Sequence, residues 1–319
     1  MSASKQLVLS VVVPVFNEAA GLPRFHESLV AELQKMDIES YEIIYCNDGS
    51  TDNTVSVIEE FVAKNPHTKL LSLSRNFGKE IATTAGIHKA RGQAIITLDG
   101  DGQHPVDLLP QFVERWKAGA KVVVGRRTNY RTSPLKRLTS KLFYKFFKLF
   151  TGVKLLPEAT DYRLIDRIVQ QDFIRMTERS RMTRALIDWL GYPREYVSYT
   201  ENPRLHGEAT YSVSKLLKLA VDSVISTSTS PLYIAMYIGV VVLPLSVLLG
   251  AVMLLDALFG DPLGIRATGS AYVVVLMLFL IGVLLVSQGI IGLYLSHIHT
   301  ETQNRPLYII DEHTSKGLI

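Results

Sequence analysis

The sequence predicts an α/β domain built on a mostly parallel sheet, followed by two transmembrane helices, and three observations lead to it. From Gln6 to about Val124 apolar runs alternate with amphipathic stretches, the pattern of strands covered on both faces by helices. Two later stretches, Ser223–Leu255 and Ala267–Ser296, contain no charged residue, although charged residues make up 20% of the chain. Basic residues gather between Arg126 and Lys154, beside the apolar segments, which suggests an anionic lipid surface or a phosphate-bearing substrate.

The strand candidates are Leu7–Val13, Tyr41–Asn47, Thr68–Ser74, Ala94–Leu98 and Lys121–Val124. Helical stretches follow them near Gly21–Lys35, Asp52–Asn65, Lys79–Ala90 and Pro105–Ala118. This is a nucleotide-binding layout, and the layout alone names no function. The region from Arg131 to Asn202 has no such rhythm. It opens on a basic and aromatic stretch, Lys136 to Lys148, that suits either an interfacial helix over about 131–150 or an ordinary surface helix. A second amphipathic stretch, within 211–230, leads into the first uncharged run.

A helix rises 1.5 Å per residue and the hydrocarbon core is about 30 Å thick, so roughly 20 apolar residues span it. Spans are expected at about Leu232–Leu255 and Tyr272–Leu295. Their linker, Asp256–Arg266, carries two acids and one base, while Lys215, Lys218 and Arg305 flank the other ends. Lysine and arginine favour the cytoplasmic side, so the hairpin should face outward and both termini inward. The expected organisation is a cytosolic domain over 1–210, a transmembrane hairpin over 231–296 and a cytosolic tail over 297–319 in a multi-pass inner-membrane protein. The short polar start, Met1 to Gln6, lacks the pattern of a signal peptide. One cysteine, Cys46, excludes an intramolecular disulfide, as suits a reducing compartment. A net charge of +4 gives no reason to expect nucleic acid as a partner.

The most informative segment is Thr97-Leu98-Asp99-Gly100-Asp101-Gly102-Gln103-His104-Pro105, at the C-terminal end of a predicted strand, where ligands of open α/β sheets bind. Asp99 and Asp101 can both reach a hard cation, with Gln103 adding a neutral oxygen. Mg2+ or Mn2+ held in this way bridges a diphosphate and neutralises its leaving charge. An Asp-Gly-Asp is also often only a turn. Two other strand ends bear polar motifs, Pro14-Val15-Phe16-Asn17-Glu18 and Asn47-Asp48-Gly49-Ser50-Thr51-Asp52. Asp52 fits a helix cap at least as well as a substrate contact.

These motifs, with Ser74-Arg75-Asn76-Phe77-Gly78-Lys79 between them, resemble in order those of family 2 glycosyltransferases of the GT-A fold. More narrowly they resemble polyprenyl-phosphate glycosyltransferases, including dolichol-phosphate mannose synthase and the bacterial polyprenyl-phosphate glucosyltransferases. Asn304-Arg305-Pro306-Leu307-Tyr308, after the second span, extends the likeness to the whole chain.

The resemblance implies that Pro14, Val15, Asn17, Glu18, Asp48 and Asp99 line the nucleotide-sugar pocket and that Asp99, Asp101 and Gln103 hold the metal. It places Asp161 and Arg163 with Asp101 at the reacting centre, and Arg127, Arg137, Ser140 and Arg204 at a lipid phosphate. The implied reaction is inverting transfer of a sugar, glucose first, from a nucleotide sugar such as UDP-glucose to polyprenyl phosphate for cell-envelope glycan modification. A homo-oligomer stays open. The acceptor phosphate has a second pKa near 6, so its oxygen is already largely anionic and needs no strong base. A processive polysaccharide synthase fits less well, because Gln111 to Trp116 is one residue too long for the Gln-x-x-Arg-Trp motif. A non-catalytic nucleotide-binding membrane protein has no need of both carboxylates.

Overall fold

A computed structural model of the protein describes residues 8–128, 159–179, 181–200 and 269–318, with single residues at 248, 255 and 259. Both interfacial-helix candidates, Arg137, Ser140 and Arg204 lie outside these residues, as does the first expected span apart from residues 248 and 255. The chain divides into two units. The first holds the sheet, its helices and the tail from Arg305; the second holds the long C-terminal helix.

Five strands stand close to their expected places: β1 (Leu9–Val15), β2 (Tyr41–Asn47), β3 (Thr68–Ser72), β4 (Ala94–Thr97) and β5 (Val122–Arg127). They alternate with α1 (Leu22–Lys35), α2 (Thr54–Lys64), α3 (Lys79–Lys89) and α4 (Leu109–Lys117), the last entered through a 3-10 turn at Val106–Leu108. The unreadable region supplies β6 (Ala159–Asp166), α5 (Arg167–Arg175), α6 (Thr183–Trp189) and β7 (Arg194–Tyr199). Among the described residues the sheet has seven strands in the order β3-β2-β1-β4-β6-β5-β7. β6 runs antiparallel to β4 and β5, and every other pairing is parallel.

Residues alternate across β1 and β2 into two cores. Val11, Val13, Ile43 and Tyr45 pack with Leu22, Phe25 and Leu29 of α1. Val12, Ile44 and Cys46 pack on the other face with Ala82 and Ala85 of α3 and Val169 and Phe173 of α5. Burial on both faces is why these strands read as continuous apolar runs.

Helix α3 lies so close to the sheet that a Cβ on Gly86 would come within 2.3 Å of Val12 Cγ1 and 2.5 Å of Cys46 Sγ. Overpacking of this kind typically destabilises by 1–3 kcal/mol. Gly86→Ala is therefore expected to lose about 2 kcal/mol and roughly 5 °C in Tm by thermal denaturation. An unchanged Tm would mean that α3 is not seated this closely.

The edge of β3 is covered by the tail. Leu70 and Lys316 exchange backbone hydrogen bonds at 3.0 and 2.9 Å, Asp311 N–H donates to Ser72 O at 2.8 Å, and Ser74 N–H donates to Ile309 O at 2.9 Å. Tyr308 packs beside His88 of α3, its hydroxyl 3.2 Å from Nδ1. The Asn304–Tyr308 motif thus leads into a segment that occupies strand-pairing groups otherwise open to another chain.

In the second unit, α7 (Gly269–Thr302) is a single helix of 34 residues, covering the position of the second expected span. Over its described residues no helix is long and apolar enough to cross a membrane, so both spans pass to the proposal below.

Candidate active site

The C-terminal ends of β1, β2, β3 and β4 share one edge of the sheet, and the antiparallel β6 brings its N-terminal end to the same place. Thr97 opposes Arg163 in the ladder, and the Thr97 hydroxyl donates to Asp161 O at 2.7 Å. Asp99 and Asp161, 62 positions apart in sequence, thereby reach one cleft.

Between them stands Lys79, at the start of α3. Its Nζ is 2.7 Å from Asp99 Oδ1 and 3.3 Å from Asp161 Oδ2. Thr83, Thr97, Asp161, Arg163 and Arg184 line the cleft beside it. Burial opposes ionisation of Asp161, but Lys79, Arg184 and Arg163 outweigh it and hold its carboxyl below the usual range. Burial and the Asp161 charge push the neighbouring Glu80 up, while its Oε2 accepts from Thr183 N–H at 2.8 Å.

The Asp99–Gln103 turn is held from inside. His104 is buried and stacked on Tyr162, and its Nδ1 accepts from Asp99 N–H at 3.0 Å. Burial lowers its pKa, which suits a neutral ring accepting at Nδ1. Asp101 Oδ1 accepts from Gln103 N–H at 3.0 Å, closing the turn. Asp101 and Gln103 are half-buried.

Among the described residues no three His, Cys, Asp or Glu side chains converge as a metal cage. Two carboxylates nevertheless fit Mg2+ or Mn2+, since Mg2+ usually takes one or two protein carboxylates with the rest of its shell from substrate phosphate and water. The donor set thus suits an ion that arrives with a diphosphate.

Other residues expected at the nucleotide also tie the strand-end loops together. Asn17, with φ of 55°, accepts Thr51 N–H at 2.8 Å through Oδ1 and donates its own N–H to Ser50 Oγ at 3.0 Å, joining the β1 and β2 loops. Glu18 N–H donates to Thr54 Oγ1 at 2.9 Å. Asp52 Oδ1 accepts Thr54 N–H at 3.0 Å in the turn before α2, whose N-cap is Asn53 rather than Asp52, and its Oδ2 accepts Ala19 N–H at 3.2 Å. Val15 is buried in the core and presents backbone, its carbonyl accepting Asp48 N–H at 3.0 Å; Pro14 precedes it within β1.

Asp48 is buried too, and both its oxygens are engaged, with Phe77 N–H at 2.7 Å and Gly78 N–H at 2.9 Å. Burial raises its pKa against those bonds and Arg75. Behind it, Gly49 has φ of 68° and lies so near Arg75 that a Cβ would fall 2.5 Å from Arg75 C. Asp48 in this structure fixes the Arg75–Gly78 loop, and through it the start of α3 and Lys79.

Arg163 lines the cleft with Asp161, and its guanidinium is bound to protein partners. It is buried, donating through Nε to Thr160 O at 3.0 Å and through Nη1 to Asp188 Oδ1 at 2.9 Å and Arg184 O at 3.2 Å. Asp188 also holds Arg194 at 2.9 Å. Arg163 is therefore a positioning residue that joins β6 to α6. Arg127 ends β5 opposite Tyr199, half-buried.

Lys79, Arg184, His104 and Asp188 were not singled out by the sequence reading. For Lys79 a signal existed, because a cation in the first turn of a helix opposes the macrodipole and calls for a compensating anion.

A site built on carboxylates and cations at the strand ends of a GT-A sheet is one for a phosphate-bearing donor. The model for glycosyl transferase family 2 matches residues 10–173. The SfII prophage-derived bactoprenol glucosyl transferase of Shigella flexneri is 38% identical over 304 residues, 95% of this chain and 97% of that one. An uncharacterized glycosyltransferase of Synechocystis sp. is 36% identical over 305 residues, 95% of each chain. Among solved structures, mannosyl-3-phosphoglycerate synthase from Rubrobacter xylanophilus superposes with a TM-score of 0.50 at 17% identity, covering 69% of this chain and 72% of that one, a likeness of fold. The chain belongs to glycosyl transferase family 2 and is a glycosyltransferase.

Proposed function

We propose that the protein transfers glucose from UDP-glucose to bactoprenol phosphate, with inversion, at the cytosolic face of a membrane. The observation that carries this reading is the match to bactoprenol glucosyl transferases along 95% of the chain, well past the family domain that ends at residue 173. The cleft agrees with it. Two anions, the donor diphosphate and the acceptor phosphate, must approach each other, and Lys79, Arg184 and a divalent cation on Asp99 and Asp101 offset their repulsion. When bound, the metal neutralises charge on the leaving diphosphate. Asp161 faces the reacting centre and stabilises positive charge on the sugar, while Thr97 and Arg163 hold its strand in place.

A polyprenyl acceptor lives in the bilayer, which gives the apolar C-terminal half a purpose. The sequence from Ala267 to Ser296 carries no charged residue, and α7 contains most of it in one helix with Val273, Met277, Phe279, Ile281 and Leu284 exposed. At 1.5 Å per residue the uncharged run Ala267–Ser296 has the length that a span requires, and it is this run of sequence that supports the reading. The product would then serve cell-envelope glycan modification.

The test is to incubate membranes containing the protein with labelled UDP-glucose, UDP-N-acetylglucosamine, GDP-mannose and a modified arabinose donor, and to follow lipid-extractable label. UDP-glucose should label the lipid fraction at least about tenfold faster than the rest, a margin of roughly 1.4 kcal/mol in the transition state. Free nucleoside diphosphate should form in equal amount, with no polymer. Transfer from UDP-glucose only to protein or soluble sugar would leave the family standing and remove the proposed acceptor.

A further inference from the structure

Lys79 stands where a divalent cation on Asp99 would be felt most. Its Nζ touches Asp99 at 2.7 Å and Asp161 at 3.3 Å, so one ammonium neutralises part of both carboxylates. Its position is not explained by helix stability, because a cation in the first turn of α3 is disfavoured by the dipole. Its side chain is half exposed, but its place is set from within the fold, because Asp48 and Gly49 fix the loop that delivers it. A second positive centre arriving at Asp99 meets this ammonium at close range, and even in a partly exposed site charges a few ångströms apart interact by several-fold in affinity. A nucleoside diphosphate reverses the balance, since it brings enough negative charge to accommodate both cations.

We propose that Lys79 makes metal binding conditional on the nucleotide: with Lys79 seated on Asp99 and Asp161 the empty site holds a divalent cation weakly, and the diphosphate draws Lys79 to itself as the metal enters. This rests on the metal reading given above for Asp99 and Asp101. Binding of metal and nucleotide is then coupled through one residue. Linkage requires that each raise the affinity of the other by the same factor, which gives an internal check.

The experiment is a titration of the purified full-length protein with Mn2+, read by the loss of the free-ion paramagnetic resonance signal, with and without UDP. The wild type should bind Mn2+ at least about tenfold more tightly with UDP, and Mn2+ should tighten UDP by the same factor. Lys79→Met should bind Mn2+ about tenfold more tightly than wild type without UDP, and UDP should then help it about tenfold less. Lys79→Arg keeps the charge and should stay near wild type. Circular dichroism checks that each variant is folded, and Lys79→Gln stands in if Lys79→Met is not. Unchanged or weaker Mn2+ binding by folded Lys79→Met without UDP would overturn the inference and leave the metal site intact. No Mn2+ binding by the wild type even with UDP would remove the metal reading and the inference together.

Discussion

Asp101→Ala is expected to reduce sugar transfer by about a thousandfold or more, the scale on which loss of a charged transition-state stabiliser is felt. Asp101 lies in the turn after β4 and outside both cores, half-buried, where its Oδ1 accepts a hydrogen bond from Gln103 N–H. A hydrogen bond of this kind contributes about 1 kcal/mol, and a turn residue outside both cores leaves the packing intact, so the variant should fold. Asp101→Asn separates the two tasks, because its amide oxygen can still accept from Gln103 while the charge is gone. Both variants should lose activity and Mn2+ affinity, with Tm nearly kept. Transfer by Asp101→Ala at the wild-type rate in excess chelator would remove the metal from the reaction.

The parts of the fold legible in the sequence are those whose signals are local. β1 and β2 are buried on both faces, so they appear as uninterrupted apolar runs ending in polar motifs, and their helices carry one apolar stripe each. β6 hides for the opposite reason. It bears Asp161, Arg163 and Asp166 in a central strand, and the partners that make those charges tolerable are distant in sequence. Asp188 holds Arg163, while Trp116 Nε1 at 2.8 Å and Lys121 at 3.2 Å hold Asp166. No window of sequence contains both members of any of these pairs. β7 alternates exposed and buried residues at a sheet edge and is only six residues long, so its signal is weak. The site shows the same division. Asp99, Asp101 and Asp161 were recognisable because each sits in a motif, whereas Lys79 acquires its meaning from carboxylates 20 and 82 positions away. Arg163 sits in a motif as well, yet its motif could not say which way the guanidinium turns. Asp48 was expected at the nucleoside, and its two bonds to the Arg75–Gly78 loop depend on a chain reversal thirty positions downstream.

Asp161→Asn is expected to slow transfer by about a hundredfold, and the pH dependence of what remains distinguishes its possible roles. A general base works best with a pKa near the working pH. Asp161 is displaced the other way, its carboxyl held low by Lys79, Arg184 and Arg163 against the opposing effect of burial. A carboxyl with a depressed folded-state pKa stabilises the fold above its unfolded value, and that contribution is lost only as the pH falls through the folded value. Between pH 5 and 8 Asp161 is therefore ionised throughout and contributes no slope to stability or rate. The acceptor phosphate does titrate there, with a second pKa near 6. Wild type and Asp161→Asn should consequently share one acidic limb near pH 6, the variant's curve lying lower by a constant factor. Donor affinity, measured as UDP binding, should change far less than the rate, because the charge that Asp161 stabilises exists only once the anomeric bond is breaking. Loss of the acidic limb in Asp161→Asn alone would instead make Asp161 the group that takes a proton.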